Sequence, residues 1–229
     1  MCLILCKSCG KYAGFIGKLN LQDEERKEYM YRIILASESP RRKEIMETMG
    51  IPFTTVPSNV EEVVEETEPE ELVKALAAKK AIYVADHLVR ENGDRIIIGA
   101  DTMVFYGSQG LGKPKDKEDA VRMLMLLSDA VHEVFTGVHI IIRRNGYQDS
   151  SISFAVGTKV TVQPLSMKQI EDYIATGEPM DKAGAYAIQG KFGIHIKEIS
   201  GDYYNIVGFP IAQIYMQLLE RGIDIKNLN

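Results

Sequence analysis

The chain of 229 residues has no tryptophan, only four histidines, and only three cysteines, all within its first nine residues. Nor does any apolar run approach the roughly 20 residues that a membrane-spanning helix needs. Leu3-Ile4-Leu5 is too short for a signal-peptide core, so a cytoplasmic protein is expected. With its cysteines confined to one end, the body cannot be stapled by disulfides and must rest on an apolar core. A hydrophobic content of 45% is ample for that, in one large domain or two small lobes. Positive charge is also in deficit: 27 Lys and Arg face 32 Asp and Glu, a net charge of −5. That excludes a general nucleic-acid surface, and any polyanion must be met by a local basic pocket. His87, His132, His139 and His195 show no metal-ligand spacing, and neither a Ser-His-Asp arrangement nor a P-loop is present.

Cys2, Cys6 and Cys9 have C-x3-C-x2-C spacing, similar to the iron–sulfur motif of radical-SAM enzymes, and Cys6-x-x-Cys9 equals half a zinc site. No further cysteine exists to complete four thiolates, and the motif sits at a chain end, where order is least expected. Residues 1–30 are therefore read as an extension, with Met30 just before the first strand, and residues 31–229 as the domain.

Within that domain strand and helix patterns alternate without an internal repeat. Residues 33–36 read as a strand and 40–49 as a helix stopped by Gly50 and Pro52. A short strand is expected at 53–56. Residues 61–71 hold seven glutamates, followed by a helix at 72–85 with acid at its N-terminus, as the macrodipole prefers. Residues 95–105 form a long β-branched strand, and 116–127 a helix with an apolar face of Ala120, Val121, Met123, Leu124 and Leu127. Strands at 134–143 and 151–162 are joined through Asn145-Gly146, a hairpin signal. Ser166-x-x-Gln169 is a capping box opening a helix closed by Gly177. A loop at 181–193 leads to a strand at 194–199, and Gly208-Phe209-Pro210 starts a helix at 211–221. The sum predicts an α/β fold, a mixed sheet flanked by helices.

Three stretches carry chemistry. In Ser37-Glu38-Ser39-Pro40-Arg41-Arg42 a strand ends in two hydroxyls, then Pro at a first helical position, then two guanidinium groups. Helix N-terminal amides favour an anion, and paired arginines match phosphate geometry, so the stretch reads as a phosphate cradle. A proline-directed phosphorylation site and a solvated arginine pair are the competing readings. In the second stretch, Asp101 interrupts the apolar strand Arg95-Ile96-Ile97-Ile98-Gly99-Ala100-Asp101-Thr102. A carboxylate there costs several kcal/mol unless it is paired or shifts its pKa. It is read as a metal-ligating or proton-accepting group, against a strand-end cap or an Arg partner. Lys113 of Gly112-Lys113-Pro114 is a candidate phosphate ligand. Lys80 shares a helical face with Val73, Leu76, Ala77 and Val84, although spacing alone does not separate it from Lys79. Glu61 and Glu62 are the glutamates that could reach a metal. In the third stretch, Asp181-Lys182-Ala183-Gly184-Ala185-Tyr186-Ala187-Ile188-Gln189-Gly190, small residues let a ligand approach and Gln189 offers donor and acceptor to a base edge.

At these residues the chain resembles the Maf family of nucleoside triphosphate pyrophosphatases. The matching stretches are Leu35-Ala36-Ser37-x-Ser39-Pro40-Arg41-Arg42, Gly99-Ala100-Asp101-Thr102, Lys113-Pro114, Thr136-Gly137-Val138, the 181–190 loop and Val207-Gly208-x-Pro210. They run in order from residue 33 onward. The resemblance implies an elongated mixed sheet with two lobes and a cleft between them. It implies hydrolysis of a nucleoside triphosphate to monophosphate and pyrophosphate with a divalent cation, Mg²⁺ or Mn²⁺. The 181–190 loop looks like that of the branch acting on dTTP and UTP, with Ala187 where Gly is frequent and Phe209 where Leu is common. By the same resemblance Asp101 is the proton acceptor, Arg41, Thr102 and Gln189 set specificity, and Glu62 matches a cleft position, from which it is expected to hold the metal with Asp101. Ser37, Ser39, Arg42, Lys80, Lys113 and Lys182 complete the expected substrate contacts. The family's link to septum formation supplies the alternative, a nucleotide-binding regulator without turnover. A homodimer is left open.

Overall fold

The structure is a computed structural model and describes residues 31–88, 93–145 and 149–228. The cysteine motif, Met30 and the Gly146 half of the hairpin turn lie outside the described residues. Among the described residues seven strands form one mixed sheet: β1 Arg32–Leu35, β2 Thr54–Thr55, β3 Arg95–Tyr106, β4 Gln109–Leu111, β5 Val131–Arg143, β6 Ser150–Val162 and β7 Ile196–Ser200. Their order is β2-β1-β3-β5-β6-β7, with β4 on the edge of β3. β1 runs parallel to β2 and β3, while β5, β6 and β7 continue antiparallel. The α-helices are α1 Pro40–Thr48, α2 Pro69–His87, α3 Lys117–Leu127, α4 Met167–Ile174, α5 Tyr203–Val207 and α6 Ile211–Leu219.

Local chemistry explains the boundaries. Pro40 starts α1 and Pro69 starts α2, where a missing N–H costs nothing. Glu70 and Glu71 occupy the first turn of α2. Asp116 caps α3, and the Ser166–Gln169 capping box opens α4 as expected. Several bounds shift, α2 beginning at Pro69 rather than 72 and β5 at Val131 rather than 134. α4 ends at Ile174, before Gly177, whose left-handed backbone opens a 3₁₀ turn, Glu178–Asp181. β7 begins at Ile196 because Lys191–His195 forms a further 3₁₀ turn. The short elements β4 and α5 have no counterpart in the hydrophobic pattern.

One face of the sheet is covered by α2, which lies almost on the backbone of β3 and β5. A Cβ on Gly99 would stand 2.4 Å from the Ala77 carbonyl oxygen, and one on Gly137 would stand 2.2 Å from that of Val73. Only glycine permits this approach. The opposite face carries two apolar clusters in sequence along the same strands. The first joins Ile96, Ile98, Ala100, Val138 and Ile140 to α1 and α6. The second joins Val104 and Val134 to α3, α4 and Tyr186. Between them sits a directly opposed pair, Thr102 and Thr136. The apolar covering breaks there.

Candidate active site

The partner strands of β3 on one edge stop short of each other. β1 pairs with it as far as Ile98, β4 only from Val104 onward. Among the described residues, 99–103 thus have no strand partner on that side. β1 and β4 approach the gap from opposite ends, so the segments that follow them, carrying Ser37 and Lys113, converge over Asp101 and Thr102. The interruption opens both faces of β3 at once, which lets neighbouring residues of alternating direction line one cavity.

That cavity measures about 610 Å³ and is lined by Ser37, Ser39, Arg41, Arg42, Glu62, Lys80, Asp101, Thr102, Lys113, Lys182 and Gln189. Every expected site residue borders it. Tyr186, Met103, Ser58 and Gly208 join them. Glu61 does not: it lines a separate shallow groove with Val60, Lys79, Ile82, Tyr83 and Asp86. The choice between the two lysines is also settled, since Lys79 donates instead to the Val63 carbonyl.

On the α2 face, the Lys80 ammonium bridges two carboxylates, 2.6 Å from Asp101 Oδ1 and 2.7 Å from Glu62 Oε1. Asp101 is 8% exposed, so this pairing answers the cost of a carboxylate in an apolar strand. Its Oδ2 takes no bond within the described residues. Burial pushes the Glu62 carboxyl up. The Lys80 hydrogen bond and charge, with Lys113 and Arg42, reverse this and hold it below the usual carboxylate range. Two carboxylate oxygens converge on one cationic point, a set of hard donors suited to Mg²⁺ or Mn²⁺ once phosphate oxygens and water complete the shell. Among the described residues no group of three or more His, Cys, Asp or Glu could hold a metal by itself.

On the other face Arg42 acts first as a pin. It is 8% exposed and donates from Nε to the Gly208 carbonyl at 2.8 Å, from Nη1 to Ser37 Oγ at 3.1 Å and from Nη2 to Thr102 Oγ1 at 3.2 Å. Burial lowers its pKa, yet a guanidinium stays charged from so high a starting point. Gly208 must be small here: a Cβ would stand 3.0 Å from Thr102 Oγ1, and its φ of +109° is strained for any other residue. Arg41, by contrast, reaches outward to Asp181, 3.8 Å away, and Lys182 pairs with the same carboxylate.

The loop carrying Gln189 is clamped from behind. Glu178 Oε1 accepts from the Tyr173 hydroxyl at 2.9 Å and Oε2 from the Lys191 N–H at 3.1 Å, while Tyr173 Oη accepts from the Ala187 N–H at 3.3 Å. A Cβ on Gly190 would fall 2.1 Å from the Glu178 carboxylate. Deeper in the same wall, His132 is 2% exposed and shares a 2.8 Å hydrogen bond with the Tyr186 hydroxyl. Burial lowers the imidazole to about 4. Below pH 6.5 the unfolded chain takes up a proton that the folded chain refuses, so stability falls as pH drops from about 6.5 to about 4 and then levels off. The expected loss attributable to this group is about 3 kcal/mol. Urea titrations at pH 7 and pH 4 should show that loss in the wild type and a difference smaller by that amount in His132→Gln. Equal pH dependence in both proteins would remove His132 as the source.

The family model described as Maf-like protein matches residues 32–221. A protein of Lachnoclostridium phytofermentans named dTTP/UTP pyrophosphatase is 50% identical over 196 residues, covering 86% of this chain and 98% of its own. One of the same name from Agathobacter rectalis is 45% identical over 205 residues, 86% of this chain and all of its own length. Among solved structures, a HAM1 protein from Coxiella burnetii aligns at TM-score 0.42 and 12% identity, over 83% of this chain and all of that one, too remote to bear on function. A match that spans the sheet, the helices and every residue around the cleft shows that this chain belongs to the Maf family.

Proposed function

We propose that the protein hydrolyses dTTP and UTP to the monophosphate and pyrophosphate, a cytoplasmic enzyme that clears nucleotides from the pool. The single observation that carries this reading is the placement of Asp101 and Glu62 beside Lys80 in the cleft that Arg41, Arg42 and Lys113 also border. A mere binder of triphosphates needs the cations alone, whereas the facing acids serve turnover. The names and coverage of the relatives supply the substrate class. The two apolar clusters would then form the lobes on either side of the cleft.

In this mechanism Arg41, Lys113 and Lys182 spread the charge of the triphosphate tail and hold it in line for attack. Ser37 donates its hydroxyl proton to a phosphate oxygen. Water attacks the α-phosphorus, its oxygen bonding to phosphorus as the bond to the bridging oxygen breaks and pyrophosphate leaves. The proton released goes to Asp101 Oδ2. Glu62 and Asp101 would hold Mg²⁺ or Mn²⁺ together with phosphate oxygens. Such an ion, when bound, polarises the phosphoryl group and lowers the pKa of water. Lys80 holds the two carboxylates aimed at one point. Gln189 meets the base.

Purified protein incubated with UTP, dTTP, CTP and purine triphosphates, with Mg²⁺ or Mn²⁺, should yield pyrophosphate and monophosphate from the first two. Release of orthophosphate would place cleavage at the γ-phosphate instead. Nucleotide binding without any product would leave only the regulatory reading.

A further inference from the structure

Thr136 is fully buried in β5 and does not border the cleft, yet it touches Thr102, which does. Its Oγ1 lies 2.9 Å from the Asn205 carbonyl oxygen and 2.9 Å from Thr102 Oγ1. A carbonyl has no proton to give, so the single hydroxyl proton of Thr136 must point at Asn205. Toward Thr102, Thr136 is left as an acceptor only, and the contact between the two threonines takes the proton of Thr102. Arg42 Nη2, which can only donate, fills one lone pair of Thr102 at 3.2 Å. Thr102 therefore turns one lone pair and no proton toward the cleft. Ser37 is its opposite: Oγ accepts from the Ser39 N–H at 3.2 Å and from Arg42 Nη1 at 3.1 Å, and keeps its proton for a ligand. The floor thus offers a donor at Ser37, which suits a phosphate oxygen, and an acceptor at Thr102, which repels one.

We propose that Thr136 is a positioning residue that holds Thr102 as an acceptor, and that Thr102 in this state selects an N–H or O–H donor on the nucleoside. The inference rests on the function proposed above. In dTTP and UTP the available donors are the imide N3–H and the sugar hydroxyls. Cytosine carries a lone pair at N3 where uracil carries the proton, so a fixed acceptor discriminates against CTP by leaving two lone pairs face to face.

Thr136→Val keeps size and branching but offers no acceptor, so the Thr102 proton is released to swing into the cleft. The Asn205 carbonyl retains the Gly208 N–H at 2.9 Å, which favours a folded variant. The experiment measures kcat/KM for UTP, CTP and 3′-deoxy-UTP in wild type, Thr136→Val and Thr136→Ser, with thermal melts to establish folding. The UTP to CTP preference is expected to drop about tenfold in Thr136→Val, the worth of one hydrogen bond, chiefly through KM, and to return in Thr136→Ser. Movement of the UTP to 3′-deoxy-UTP preference instead would assign the donor to the sugar. A folded Thr136→Val with both preferences unmoved overturns the proposal. Should that variant not fold, Thr136→Cys, whose thiol is a poor acceptor, is read by the same criteria. A wild type that releases no pyrophosphate from UTP or dTTP defeats the proposed function itself, whereas normal wild-type turnover with unmoved preferences defeats only the role of Thr136.

Discussion

Asp101→Asn should lower kcat by about 10²–10⁴ while nucleotide affinity stays within a few-fold of wild type. The substitution keeps the shape of the side chain and leaves an amide oxygen for Lys80, which holds Asp101 Oδ1 at 2.6 Å and Glu62 at 2.7 Å. What it removes is basicity at Oδ2, the oxygen with no bond among the described residues. Pre-steady-state or equilibrium binding of a nucleotide, measured beside turnover, separates two roles. Loss of turnover alone marks the proton acceptor. Parallel loss of affinity, restored by raising the Mg²⁺ or Mn²⁺ concentration, marks a group whose main task is to hold the cation. Near-normal hydrolysis in the variant removes Asp101 from the mechanism altogether.

Gly137→Ala should cost about 3 kcal/mol or more in stability, at the upper end of what overpacking a core costs. The added Cβ would stand 2.2 Å from the carbonyl carbon and oxygen of Val73 and 2.5 Å from the Lys74 nitrogen. These are backbone atoms of α2, so no rotamer change relieves the clash and the helix itself must rise. A drop of about 6–12 °C in Tm follows from that cost for a chain of this size. Gly137 lies directly opposite Asp101 across the β3–β5 ladder. Lifting α2 therefore also draws Lys80 away from its two carboxylates, and whatever protein remains folded should turn over more slowly. Gly112→Ala is the control for stability, since its Cβ would meet nothing within 4 Å. A Gly137→Ala protein with an unchanged melting curve would mean that α2 does not depend on this seat.

Much of this arrangement is legible in the amino-acid sequence. β-branched runs mark the long strands, and five of the six described α-helices are marked either by an apolar face, as in α3, or by end signals such as Pro40, the Ser166–Gln169 capping box and Gly208-Phe209-Pro210. β4 and α5 are illegible because three and five residues carry too little pattern. Around the cleft, Asp101, Ser37 and the two arginines stand out because their chemistry conflicts with their surroundings in sequence. Lys80 can be narrowed only to a pair, as helical spacing gives a face and not a partner. The role of Thr136 is hidden for a different reason. In sequence it is only one member of a Thr-Gly-Val stretch, and its task depends on the carbonyl of Asn205, a residue 69 positions away that no local signal connects to it. That Arg42 pins the floor, with Nε, Nη1 and Nη2 all engaged, is likewise a tertiary fact.

The interrupted edge of β3 has a bearing on colloidal behaviour as well as on catalysis. Exposed strand borders are templates on which foreign chains stack, and proteins usually blunt them with charge, kinks or coverage. Here the bare segment, residues 99–103, is bracketed at both ends by β1 and β4. Any intruding strand longer than that window, as most strands are, would collide with one bracket or the other. The fold can thus leave β3 unpaired beside the cleft while denying that border to fibril growth.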